Sequence, residues 1–166
     1  MYLNDSFDEF SFHQVLMCYN ANCIYDTYRK KRIRIKKLLN HLNLNFKNKI
    51  YFCTFTFRDN NFIDHKEVKK LFKNNCEYYF CNEDFGDLNG RRHYHAFIVD
   101  DSNQNLAYNH FLSFWSYGFI WIEKIDFRSD LGVQKLSKYI LKLSQHSIKS
   151  STRSCFMSKN LSCYYR

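Results

Sequence analysis

His93 and His95 stand two residues apart in the run N-G-R-R-H-Y-H-A-F-I-V, Asn89 to Val99. Side chains of a strand alternate between faces, so the two imidazoles point one way and Tyr94 the other. Two ring nitrogens held side by side are two ligands for a divalent cation, and a carboxylate would add a third. Three acids precede them across a turn: Glu83, Asp84 and Asp87. Glu83 is the expected ligand, because Asp84 is read as facing away and Asp87 falls in the turn. Strand neighbours lie about 5 Å apart, close enough for one ion to be shared. Two imidazoles and a carboxylate with open positions suit Mg²⁺ or Mn²⁺, with Zn²⁺ still compatible. Arg91 and Arg92 sit immediately before His93, where guanidinium forks would match the oxygens of a phosphodiester.

A metal beside a phosphate polarises it but leaves the attacking group to be supplied. The segment S-K-Y-I-L-K-L offers one. Tyr139 and Lys142 are three apart and share a helical face, with Lys138 adjacent. A phenol can attack phosphorus once its proton is drawn off, and an ammonium nearby favours the phenolate and the charge developing on phosphate. Tyr139 fits the apolar face of a helix equally well, and the chain has 13 tyrosines, so composition does not single it out.

The elements that must position these residues follow from periodicity. I-Y-F-C-T-F-T-F, Ile50 to Phe57, is β-branched and aromatic and reads as a buried strand. Asp64 with Glu67 three residues on has the form of a capping box, and Val68, Leu71 and Phe72 follow at helical spacing. A second strand is expected from Glu77 to Glu83, then a turn with an Asn-Gly pair, then the histidine strand, ending near Asp100. Leu106 to Trp115 suggests a second helix, closed by Gly118. Phe119 to Ile125 is another strand. A last helix is expected from Leu131 to Gln145, with a Ser-rich basic tail beyond His146. Strands joined by hairpins with helices beside them make an α+β fold with a mainly antiparallel sheet.

At 166 residues the chain has room for one domain. We divide it into a basic N-terminal extension, residues 1–48, packed on or leading into a domain at 49–166 that ends in a basic tail. The formal charge of +9 favours a polyanionic partner, nucleic acid above all. R-K-K-R-I-R-I-K-K, Arg29 to Lys37, concentrates that charge, and Arg29, Lys30, Lys31 and Arg32 are expected backbone contacts. A solvated basic face is the alternative. No apolar run is long enough for a membrane span, so no membrane partner is expected. The acidic, polar first residues lack signal-peptide chemistry. Seven cysteines, an odd number, fit a reduced cytoplasmic setting. Cys18 and Cys23 could begin a zinc site, but no second pair follows at suitable spacing.

Taken in order, F-C-T-F-T-F, E-D-F-G-D-L-N-G-R-R-H-Y-H-A-F, W-S-Y-G-F-I-W-I-E-K-I and K-Y-I-L-K resemble the HUH endonucleases. They are most similar to the rolling-circle replication initiators of small single-stranded DNA phages and plasmids, notably small microviruses. The resemblance covers about residues 50 to 145. S-S-T-R-S-C-F-M-S-K-N-L resembles the basic segment that follows the tyrosine helix in those initiators. It implies a five-stranded antiparallel sheet, an RRM-like palm, flanked by helices. It further implies His93 and His95 as metal ligands with Glu83 as the third, Tyr139 as nucleophile and Lys142 as its helper. The implied activity is nicking of one strand at an origin, with a 5′-phosphotyrosine link and a free 3′-hydroxyl that primes synthesis. Its partners would be single-stranded origin DNA and the host helicase and DNA polymerase, in the cytoplasm of a bacterial host. Arg91, Arg92 and Lys138 join the basic cluster at 29–32 as expected DNA contacts. Position 143 is Leu, which implies a one-tyrosine enzyme, and no G-x-x-x-x-G-K-[ST] is present to supply a fused helicase.

Two alternatives stand beside this reading. One keeps the chemistry in a one-tyrosine transposase. The other is a non-catalytic single-strand binder whose sheet aromatics stack on bases.

Overall fold

Alternating large side chains on Ile50–Phe57 (β1) give this strand two apolar faces, and both are used. Tyr51, Cys53, Phe55 and Phe57 point into one buried cluster, Ile50 and Phe52 into another. The computed structural model describes residues 24–58, 62–85, 90–127 and 155–163. Around β1 it forms a five-stranded sheet of Tyr79–Phe85 (β2), Arg92–Val99 (β3), Gly118–Lys124 (β4) and Cys155–Met157 (β5). The strand order is β4-β1-β3-β2-β5, and every pairing is antiparallel. Three helices accompany the sheet: Ile24–Asn45 (α1), His65–Asn75 (α2) and Gln104–Phe114 (α3). The α+β, five-stranded antiparallel architecture expected from the sequence is present.

Helices α2 and α3 cover one face. Val68 and Phe72 of α2 and Ala107, Phe111 and Phe114 of α3 pack with Phe55, Tyr94, Ala96 and Trp115. The start of α2 is set locally: the Asp64 carboxylate accepts a hydrogen bond from the Glu67 amide at 2.7 Å, as the capping box requires. Helix α1 covers part of the opposite face. Ile35, Leu38, Leu39 and Leu42 form its buried stripe against Ile50, Phe52, Phe80 and Phe97, while Arg29, Lys30 and Arg34 are exposed. The contacts of α1 are with the Ile50 end of β1. Further along, burial alternates, and Thr54 and Thr56 are only half-buried. One face of the sheet is therefore open at that end.

Three boundaries differ from those expected. Strand β2 begins two residues late and runs to Phe85, carrying Asp84 inside the sheet. Helix α3 is capped by Trp115, whose amide donates to the Phe111 carbonyl, and not by Gly118. Gly118 instead opens β4, where a Cβ would overlap the Thr56 carbonyl oxygen and the Arg58 amide. Its glycine is required by the backbone of β1, a cause that lies far away in sequence. The short β5 falls in the stretch read as a tail. The expected helix from Leu131 to Gln145, with Lys138, Tyr139 and Lys142, lies outside the described residues, as do Cys18 and Cys23.

Candidate metal centre

The registers of β1, β2 and β3 decide which side chains meet. In an antiparallel pair, residues directly opposite share a face. Asp84 is opposite His93, Asn82 is opposite His95, and Glu83 is opposite Tyr94. His93 and His95 do share a face, but Asp84 shares it with them and Glu83 does not. The expectation of Glu83 as third ligand is thus corrected: the hairpin register turns it to the far side.

Asp84 Oδ2 lies 3.0 Å from His93 Nε2 and 3.2 Å from His95 Nε2, and the two Nε2 atoms are 3.2 Å apart. The outer nitrogens are engaged elsewhere. His93 Nδ1 donates to the Arg91 carbonyl oxygen at 3.0 Å, and His95 Nδ1 is hydrogen-bonded to Thr54 Oγ1 at 3.0 Å. A carbonyl can only accept, so the His93 proton sits on Nδ1 and the neutral ring presents a bare lone pair at Nε2. The Phe85 amide holds the other carboxylate oxygen, Oδ1, at 2.7 Å. The Phe52 ring stacks on His95 with centroids 5.6 Å apart and planes 17° from parallel.

Asp84 and His95 are almost wholly buried, 1% and 2% exposed, and His93 is 12% exposed. An anionic oxygen and imidazole lone pairs converging at such depth repel one another unless a cation sits among them. The three ligand atoms lie within 4.8 Å of one another, which fits a divalent metal, and the hydrogen bonds to Nδ1 fix the ring orientations that a metal needs.

The opposite face of the same hairpin is closed. The Glu83 carboxylate accepts from Arg92 Nε and from the Tyr94 hydroxyl, the latter at 3.2 Å. Arg92 also donates to Tyr94 Oη and, at 2.7 Å, to the Ile63 carbonyl oxygen, and it lies over the rings of Phe57 and Tyr94. His65 Nδ1 reaches Tyr94 Oη at 3.0 Å. Burial, with the Glu83 charge behind it, holds the Tyr94 phenol proton on far more firmly than usual. Arg92 is therefore committed to Glu83 and turned from the histidines, which corrects its expected role as a DNA contact. Arg91 keeps its place beside the cluster through its carbonyl. Lys31 lies in α1 with Arg29, Lys30 and Arg32.

The sequence did contain a signal for this partition. A buried arginine demands a counter-charge, and Arg92 alternates with His93 as Glu83 alternates with Asp84. Thr54 went unremarked because nothing local marks a threonine on β1 as the support of a histidine on β3.

Fold and site together define an α+β protein with a candidate divalent-metal centre on the open face of its sheet. Residues 50–144 match the family model for the replication-associated protein ORF2, and the chain belongs to that family, which gives it a role in replication. The matched stretch contains Asp84, His93 and His95 and also Lys138, Tyr139 and Lys142. No curated protein matches the chain. Among solved structures it is similar to the crystal structure of the hypothetical protein ORF119 from Sulfolobus islandicus rod-shaped virus 1, with a TM-score of 0.45 and 20% identity. That similarity covers 72% of this chain and 97% of the other. No helix among the described residues is long and apolar enough to cross a membrane.

Proposed function

We propose that this chain is an HUH-type endonuclease and strand transferase that nicks single-stranded DNA at an origin and so initiates rolling-circle replication of a small phage or plasmid. The observation that carries the reading is the convergence of Asp84, His93 and His95 on one point, within the stretch that the family model matches and that also holds Tyr139. Two histidines alone are commonplace. Two histidines and a buried carboxylate aimed at one cation are not.

In this reading Mg²⁺ or Mn²⁺ supplies Lewis-acid polarisation of a phosphoryl oxygen when bound. Asp84, His93 and His95 hold the ion. The Tyr139 phenolate oxygen attacks phosphorus, the phosphorus–O3′ bond breaks, and the leaving oxygen takes a proton to become a 3′-hydroxyl. DNA stays attached through a 5′-phosphotyrosine. The phenol proton passes to solvent, and the Lys142 ammonium steadies the phenolate and the charge on the phosphate. Attack by a 3′-hydroxyl on the phosphotyrosine reverses the chemistry and rejoins a strand. The exposed cations of α1 take the phosphate backbone, and a host helicase and DNA polymerase extend the primer in the cytoplasm of a bacterial host.

The test is incubation with Mn²⁺ and labelled single-stranded oligonucleotides from the replicon that encodes the protein, followed by a denaturing gel. A covalent adduct is expected, lost in Tyr139→Phe with DNA binding retained. An adduct that persists in Tyr139→Phe removes that residue as the nucleophile.

A further inference from the structure

On the metal face the sheet carries two rows of side chains that run across the strands. Thr56 is opposite both His93 on β3 and Phe119 on β4, and Thr54 is opposite both His95 and Trp121. Facing residues share a side, so Phe119 and Trp121 lie on the same surface as the metal cluster, separated from it by two short threonines. Two strand spacings put each ring about 10 Å from its histidine. Both are open to solvent, Phe119 at 58% and Trp121 at 49% exposure. Phe85, the other exposed aromatic of the described strands, belongs to the opposite face with Glu83.

Three further observations specify an occupant. The Arg58 guanidinium lies 5.4 Å above the Phe119 ring, which puts a cation at one end of the aromatic pair. Trp121 meets Phe52 edge-on at 6.1 Å, and Phe52 stacks on His95, so one ring braces both the exposed tryptophan and a metal ligand. The chain carries a charge of +9. Side chains two apart on a strand are separated by about 6.8 Å, twice the rise of stacked bases, which suits bases pulled out of their stack. Flat π-faces with a neighbouring cation are chemistry for unpaired nucleobases, and every base offers such a face.

We infer that Phe119 and Trp121 form a stacking platform for two unpaired bases of the strand whose phosphate crosses the metal centre, with Arg58 on the intervening backbone. This deepens the nuclease reading above and rests on it for the identity of the strand. The platform fixes how far the strand can slide past Asp84, His93 and His95. Phe119 and Trp121 are thus positioning residues.

Trp121 provides its own probe, because the other tryptophan, Trp115, is 1% exposed in the core. Oligo-dT titrated into the full chain in EDTA is expected to quench tryptophan emission, and Trp121→Leu to abolish the quench. Leucine at either position should weaken binding by about five- to 150-fold. Trp121→Phe and Phe119→Tyr, which keep a π-face, should restore most of it. The salt dependence should be unchanged, since stacking releases no counterions. Leucine variants that bind oligo-dT as tightly as wild type overturn the proposal. So does a fall in melting temperature with affinity unchanged, which would assign both rings to the protein's own fold. The nuclease reading fails separately. Quenching without any Mn²⁺-dependent adduct keeps the platform and removes the nicking, whereas an adduct formed equally by the leucine variants does the reverse.

Discussion

The two faces of the β2–β3 hairpin hold nearly the same chemistry arranged to opposite ends. One presents Glu83, Arg92, Tyr94 and His65, the other Asp84, His93 and His95, and the members alternate along the same two strands. On the first face the carboxylate is answered by a guanidinium and a hydroxyl, so charge and hydrogen bonds close within the protein. On the second, acceptors face acceptors and a cation is needed to close the set. A buried ionisable group is structural when its partners are already present. It is a binding site when they are arranged but one charge is lacking.

Replacing each set in turn separates these roles. The largest effect is expected from Asp84→Ala, which removes the only anion from the triad. Mn²⁺ affinity measured by electron paramagnetic resonance should fall by more than about 100-fold, with the fold retained. Arg92→Ala should do the opposite. It leaves Glu83 buried without its cation, at a cost of about 3–5 kcal/mol in urea unfolding, while the protein that remains folded still binds Mn²⁺. Loss of metal binding in Arg92→Ala at matched folded fraction would erase the distinction between the faces.

Thr54→Val tests the support of the metal face. It keeps shape but removes the partner of His95 Nδ1, and a 10- to 100-fold loss of Mn²⁺ affinity is expected. The smallest effect belongs to His65. Burial lowers its pKa from the ordinary 6.5, outweighing the pull of Glu83 in the other direction. The unfolded chain therefore binds the proton more readily. The neutral ring contributes stability above pH 6.5 that is lost as pH falls below it. Melting temperature should decline more steeply from pH 7 to 5 in wild type than in His65→Gln, and parallel profiles would refute the assignment.

These comparisons also explain what could be read from the chain alone. His93 and His95 were legible because period two is a local property of a strand. The Asp64 cap and the β1 apolar run were legible for the same reason. The choice between Glu83 and Asp84 was not, because it depends on register, and one residue of slip exchanges the faces of a whole strand. Gly118 was misassigned as a helix stop because the backbone of Thr56 and Arg58, which requires it, is distant in sequence. Strand β5 is three residues long and pairs only through its partner's edge, so Cys155–Met157 carries no period to detect.

That late strand sets the order in which the protein can assemble. The contact that seats it, from the Tyr79 amide to Ser158 Oγ, spans 79 residues of sequence, whereas the hairpin holding Asp84 and both histidines is local. During synthesis the hairpin can form early, yet the outer edge of β2, with Tyr79, Phe80 and Cys81, stays unpaired until residues 155–157 emerge. An unpaired edge of that composition invites pairing with other chains. Interrupted translation before Cys155 should therefore yield aggregates in place of a smaller working nuclease, which ties metal-site competence to near-complete synthesis.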